Sequence, residues 1–264
     1  MFHQFQRHPF PVRAWFRHSL VLTYAFPQNL LRPLLPPGLE LDTFDGLGFV
    51  AVAIVQTQNL RPEFLPAWMG QDFFLTGYRI FARYRTLAGR NLRGLHILRS
   101  DTDRRLMAFA GNCLTHYQYR LARVAWRETP NRLEISVRTP RAEADLDLTA
   151  FIADTPATLP AGSPFPDQRQ ARLFAGPLPF TFDYEPETHS IILIEGERKE
   201  WHPKPVRVEV RAAGFFDGVP FQEIKPVLAN AFLVSNVPYR WKRGVREALT
   251  PAPLKNPLAN CAAT

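Results

Sequence analysis

The sequence predicts a mainly β fold, a β-rich α+β arrangement with only a few short helices. The 25 prolines and 14 glycines among 264 residues punctuate the chain too often for long helices. Apolar residues come in short runs or alternate with polar ones, as in Tyr78-Arg79-Ile80-Phe81-Ala82-Arg83-Tyr84-Arg85. The runs are bounded by turn residues such as Phe44-Asp45-Gly46.

The elements follow in order. A first strand covers 14–24, and Pro27, preset for a first helical turn, starts a helix to Leu35 that Pro36-Pro37-Gly38 closes. Strands 39–43 and 46–58 flank an Asp-Gly pair of the kind tight hairpins prefer, so they are expected to pair antiparallel. Strands 73–85 and 94–100 come next, and Asp103 can cap a helix running through Ala108 towards Cys113. Further strands are read at 117–126, 132–137, 180–184, 190–196, 205–212 and 229–236. The stretch DTPATLPAGSPFPD at 154–167 reads as a long loop inside one domain spanning 1–249, rather than as a linker. The tail 250–264 is expected to be disordered, with Cys261 in it.

With 46% hydrophobic and 21% charged residues the chain is not disordered as a whole. At this length about 75% of the unfolded surface can be buried, so neither disulfides nor a metal are needed. The two cysteines, Cys113 and Cys261, lie far apart and offer no disulfide framework, which fits a reducing, cytoplasmic location. The longest apolar run, 46–55, is about half of a membrane span, so no membrane association is expected. Residues 1–39 lack Asp and Glu and carry Arg7, Arg13, Arg17 and Arg32, as a transit peptide does, but 14–26 reads as strand.

The net charge of +8 is local: residues 79–141 hold fourteen Arg against four acidic residues, and the rest of the chain balances at −2. A solvated basic face and an anion site both account for this excess. Nucleic acid is not the expected partner, because neither an aromatic RNA-binding motif nor a Cys/His finger occurs, and the arginines alternate with apolar residues as in strands. Lysine is confined to Lys199, Lys204, Lys225, Lys242 and Lys255, so no amine nucleophile precedes Lys199 except the N-terminus.

Phosphate-loop, dinucleotide, nucleophile-elbow and zinc-protease motifs are all absent, and no cofactor or metal is expected. No two of the seven histidines stand at i,i+2 or i,i+4, the spacings that put two ligands on one face. His189, Glu195, Glu197 and His202 are close in sequence, but read better as solvated groups than as ligands.

The run LLPPGLELDTFDG at 34–46, with the apolar strand to Val55, resembles the uncharacterised family called domain of unknown function 2071 (DUF2071, YqjF-like), itself related to acetoacetate decarboxylase. The likeness continues through the strand with Arg79, GLHILRSD at 94–101, GNCLTHYQYRLARV at 111–124 and RQARLFAG at 169–176, and covers about 11–245. The resemblance implies an acetoacetate decarboxylase-like closed β-barrel of antiparallel strands around a small cavity. In the decarboxylases the motif similar to 111–122 ends in Pro-Lys-Lys, whose first lysine forms a Schiff base. Here those positions are Gln118, Tyr119 and Arg120, and neither a phenol nor a guanidinium forms an imine. Where the family carries a glutamate and then an Asn-Val-Arg, this chain has Leu75 and Gly77, and retains only Arg79. Decarboxylase activity is therefore not expected.

The candidate ligand-binding set is Arg79, His116, Tyr119 and Arg120, with His116 and Tyr119 as candidate catalytic acid/bases. Alternation along a strand lets only one of Tyr119 and Arg120 face a barrel interior. An arginine fork beside a phenol suits the carboxylate of a small organic acid. A plain reading, with Arg79 paired to a carboxylate, Tyr119 in the core and His116 on a surface turn, stands beside it. Three functions stay open: binding of a small organic anion, a lyase or hydratase using His116 or Tyr119, and a nucleic-acid or protein interaction module built on segment 79–141. A homo-oligomer stays open as well.

Overall fold

The computed structural model describes residues 2–152, 157–199 and 201–249. Strand β1 (Val12–Pro27) leads through helix α1 (Gln28–Leu31) and β2 (Leu39–Leu41) into β3 (Leu47–Pro62), β4 (Gln71–Arg85) and β5 (Asn91–Thr102). Helix α2 (Arg105–Leu114) precedes β6 (Tyr119–Leu121), β7 (Arg123–Thr129), β8 (Arg132–Arg138) and β9 (Leu146–Phe151). Helix α3 (Gln168–Ala175) is followed by β10 (Phe180–Glu185), β11 (Ser190–Arg198), β12 (Lys204–Pro205), β13 (Arg207–Ala213), β14 (Val227–Trp241) and β15 (Val245–Ala248). The fold is mostly β, as the proline and glycine content requires.

Two sheets form. The larger has the order β12-β14-β1-β3-β4-β5-β10-β11-β15, and β11 also pairs with β14 through Gly196 and Trp241, so the path of pairings returns on itself. The smaller sheet has the order β13-β9-β8-β7 and packs on the outer face of the larger. The main core lies between them: Leu20 and Leu22 of β1, Val52 and Ile54 of β3, and Tyr78 and Ile80 of β4 meet Leu133, Ile135 and Leu148. Period-two alternation then turns Ser19 and Val21, Ala51, Ala53 and Val55, and Arg79 and Phe81 to the opposite, inner face. Both faces of β3 are therefore apolar, which is why 46–55 reads as a continuous hydrophobic run rather than an alternating one.

Several expectations change. Strand 39–43 does not pair with 46–58. The turn forms, with left-handed Asp45 and Gly46, but the contact between its arms stops at Phe44 and Leu47. β5 occupies one edge of β4 as far as Arg85 and β3 takes the other from Ile80 down, which leaves Ala82 to Tyr84 for β2. The expected strand 117–126 breaks at Ala122: β6 pairs in parallel with β5, whereas β7 belongs to the smaller sheet. Together with β5–β10 this gives two parallel pairings among otherwise antiparallel ones. Asp103 does not cap α2, because its carboxylate accepts from the Phe74 amide at 2.8 Å. The helix expected at 27–35 is a single α-turn that tightens into a 3₁₀ turn at Arg32-Pro33-Leu34. Helix α3 and strands β9 and β15 were not anticipated; α3 is capped by Asp167, which accepts from the Gln170 amide at 2.7 Å. Part of the expected loop 154–167, and the whole tail from 250, lie outside the described residues.

Candidate functional site

The inner face of the large sheet encloses a cavity of about 530 Å³. It exists because small side chains occupy the inward positions of two neighbouring strands: Ser19 on β1, and Ala51 and Ala53 on β3. Most of the lining side chains are aliphatic or aromatic. Among the described residues the only charged ones lining it are Arg79 and Arg198, and no Asp, Glu or Lys does so.

Arg79 is set by alternation. Tyr78 and Ile80 are fully buried towards the smaller sheet, so the residue between them must point inward. Its guanidinium folds back over Gly77, where a Cβ would stand 3.0 Å from Nε. The missing side chain at position 77 therefore makes room for the fork. Arg79 Nε is buried and makes no hydrogen bond, and no carboxylate among the described residues pairs with it. Burial pushes its pKa down from the usual arginine value; the neighbouring groups that offset this are three phenols, Tyr239, Tyr119 and Tyr117. The plain reading, an arginine neutralised by a structural carboxylate, is thus not what the fold contains.

The three tyrosines frame the fork. Tyr119, at the start of β6, lays its ring on α2, where a Cβ on Gly111 would come within 2.3 Å of it. Asn112 fixes its backbone at both ends, accepting from the Tyr119 amide at 2.6 Å and donating to its carbonyl at 3.0 Å. Left-handed Gln118 turns the chain between Tyr117 and Tyr119, so both rings face the cavity wall, 6.2 Å apart. Tyr239 stacks on Phe16 at 4.8 Å, with its hydroxyl over Gly196. Burial pushes the Tyr119 phenol up to about 12 and raises Tyr117 and Tyr239 as well, with Arg79 pulling each back down. All three are hydrogen-bond donors at neutral pH.

The other expected site residues lie elsewhere. Arg120 is exposed, as alternation with Tyr119 demands, and stands at a separate outer pocket. His116 also faces that outer pocket and not the cavity, with its Nε2 3.8 Å from Glu185, so it has no access to a ligand on Arg79. Burial lowers the His116 pKa, against the opposing pull of Glu185. Thr115, Tyr117 and Tyr119 form the wall between the two spaces. Near Tyr117, buried Asp183 accepts from the Tyr184 amide at 3.0 Å, and burial pushes its carboxyl up to about 7.

Sequence reasoning missed Tyr117, Arg198, Tyr239 and buried His8 on the cavity wall. Tyr117 precedes β6 and faces the cavity through the left-handed turn at Gln118, which strand alternation does not predict, and the others come from segments remote in sequence. Of the suggested ligand cluster, His189 bonds the Tyr184 hydroxyl while Glu195 and Glu197 pair with Lys242. Among the described residues no group of three or more His, Cys, Asp or Glu could hold a metal ion, and no helix is long and apolar enough to cross a membrane. Of the fourteen arginines in 79–141, Arg83, Arg93, Arg99, Arg104, Arg127, Arg132 and Arg138 pair with carboxylates.

Residues 13–236 match the family DUF2071, described as an uncharacterised conserved protein. The chain belongs to this family. No curated protein matches it in sequence. Among solved structures, this DUF2071 chain is similar to the acetoacetate decarboxylase of Legionella pneumophila, with a TM-score of 0.58, 15% identity, and coverage of 91% of this chain and 88% of that one. It is also similar to the enduracididine biosynthesis enzyme MppR complexed with pyruvate, with a TM-score of 0.57, 13% identity and 90% coverage of both chains. An acetoacetate decarboxylase-like enzyme from Sphingomonas wittichii matches with a TM-score of 0.56 and 14% identity, over 89% of this chain and 92% of that one. At these identities the likeness shows an acetoacetate decarboxylase-like fold and nothing about activity.

Proposed function

We propose that this DUF2071 protein binds a small organic carboxylate inside its barrel, with the Arg79 fork on the carboxylate and the Tyr119, Tyr117 and Tyr239 hydroxyls donating to it. The observation that carries the reading is Arg79 itself: a guanidinium in a largely apolar wall, with an unbonded Nε and no acidic partner. Leaving such a charge uncompensated costs stability, and an anionic ligand removes that cost. The return of the strand pairings from β11 to β14 supports a closed barrel, and we treat residues 1–249 as its single domain. That a fold neighbour is described in complex with pyruvate, a small keto acid, agrees with this ligand class.

Imine chemistry has no support, since the resemblance puts the phenol of Tyr119 where the decarboxylases carry their lysine, and among the described residues no lysine lines the cavity. A weakly catalytic role is a second reading, and it rests on Tyr119 rather than His116. A phenol held protonated next to Arg79 can donate to a developing oxyanion.

The test is thermal unfolding of the purified chain with pyruvate, succinate or benzoate. A ligand at 100 times its Kd adds about 2.7 kcal/mol, which raises Tm by roughly 5–10 °C for a chain of this size. Arg79→Gln is expected to abolish the rise and Tyr119→Phe to reduce it. Stabilisation that survives Arg79→Gln would remove the proposal.

A further inference from the structure

We infer that the ligand is an amphiphilic acid, a medium-chain fatty or comparably apolar carboxylate whose tail runs from Arg79 to the cavity mouth; this rests on the reading that Arg79 holds a carboxylate. Three observations lead there. The first is size. At about 30 Å³ per water the cavity has room for about eighteen waters, several times the space of a three-carbon keto acid, and an acid that small would leave most of the apolar wall wet.

The second is the gradient of chemistry along the wall. From Arg79 the inward positions of β4 run through Gly77, Leu75 and Phe73, and their partners on β3 are Ala51, Ala53, Val55 and Thr57. Cations and phenols gather at one end, and uncharged, mostly apolar side chains follow from there, with Thr57 and Gln71 as the polar exceptions on these two strands. Leu75, opposite Val55, keeps the middle of this run uncharged, as an apolar tail requires.

The third is the mouth. Leu65, Met69 and Leu106 line the cavity, and Met69 and Leu106 are 45% and 59% exposed. Beside them in sequence Phe64 and Trp68 are 69% and 83% exposed, and Phe64 packs edge-on against the lining residue Phe10 at 5.4 Å. An apolar rim that leads into an apolar tunnel with a cation at its end matches a tail and a carboxylate, in that order. A short polar acid would use neither the rim nor the tunnel.

The experiment is isothermal titration of the full chain with the straight-chain series butanoate, hexanoate, octanoate, decanoate and dodecanoate, below their micellar concentrations, and with the matched primary alcohols. Burial of each methylene is expected to lower Kd about fourfold until the cavity is full. Acids should bind more tightly than their alcohols, and Arg79→Met should erase that difference. Thr57→Phe, which narrows the tunnel at its Phe73 end, two residue pairs beyond the fork, should cut decanoate affinity at least tenfold and spare butanoate. If short acids bind and added methylenes change nothing, the amphiphile inference is overturned while the carboxylate reading stands. If alcohols match acids in wild type, the role of Arg79 falls and the inference with it. Absence of binding by every compound removes both. Because the wild-type chain-length series decides the question, a misfolded variant would not shield the inference.

Discussion

Asp183→Asn is expected to stabilise the protein increasingly as pH rises. Asp183 lines the outer pocket near Tyr117 and is 8% exposed. Burial raises its carboxyl from the ordinary 3.8 to about 7; amide hydrogen bonds from Tyr184 and His116 pull it back, and the negative charge of Glu185 pushes it further up. The folded state therefore holds this proton more tightly than the unfolded chain does. Stability from this group is complete below the unfolded pKa and is lost as pH rises towards the folded value. At about 1.4 kcal/mol per pKa unit, the loss between pH 5 and pH 8 is about 3 kcal/mol. Asparagine keeps an acceptor for the amides and cannot ionise, so the variant escapes the loss. Denaturant unfolding of both proteins at pH 5 and pH 8 measures it, and the gap should widen at pH 8 by about 3 kcal/mol, roughly 6–12 °C in Tm. A variant equally changed at both pH values would mean that Asp183 is already ionised in the fold at pH 5, and the burial argument would be wrong.

Two more expectations concern the walls around the site. Glu185 is fully buried and accepts two hydrogen bonds from Arg7, at 2.8 and 2.6 Å; burial raises its pKa, but the Arg7 and Thr188 hydrogen bonds outweigh this and bring it to about 2. Arg7→Met strands a buried carboxylate and should cost about 3 kcal/mol at pH 7, measured by urea unfolding. That penalty should shrink as pH falls below 5, when the stranded acid takes up a proton. Gly111→Ala pits two effects against each other: helix propensity favours alanine by about 1 kcal/mol, but the new methyl would sit 2.3 Å from the Tyr119 ring. Overpacking costs about 1–3 kcal/mol, so a net loss of stability is expected, together with weaker carboxylate binding as Tyr119 is displaced from the fork.

Much of this was legible without coordinates. Strand existence, the mainly β class and the family followed from proline punctuation, apolar runs and the 34–46 motif. Tyr119 facing inward and Arg120 outward is the alternation rule acting over two residues. His116 reads from the sequence both as a site residue and as a surface-turn residue; it lies on the bend between Thr115 and left-handed Gln118 and faces the outer pocket. The hairpin failed for a different reason: the Asp45-Gly46 turn formed, but a free edge on β4 competed for the strand before it.

Local chemistry accounts for what the residues disclosed: side-chain period, turn geometry, the lack of an amine at positions 118–120 and the arginine left between Tyr78 and Ile80. The remainder depended on partners distant along the chain. Arg7 meets Glu185 across 178 positions, and Tyr239 reaches the fork from the far end of the domain. The space of the cavity is a property of several strands at once, since the small Ser19, Ala51 and Ala53 leave room only when β1 and β3 are set side by side, and Gly77 on β4 makes room for the Arg79 fork. Whether Arg79 has a counter-ion is likewise a question about the whole wall, and no pattern within β4 answers it.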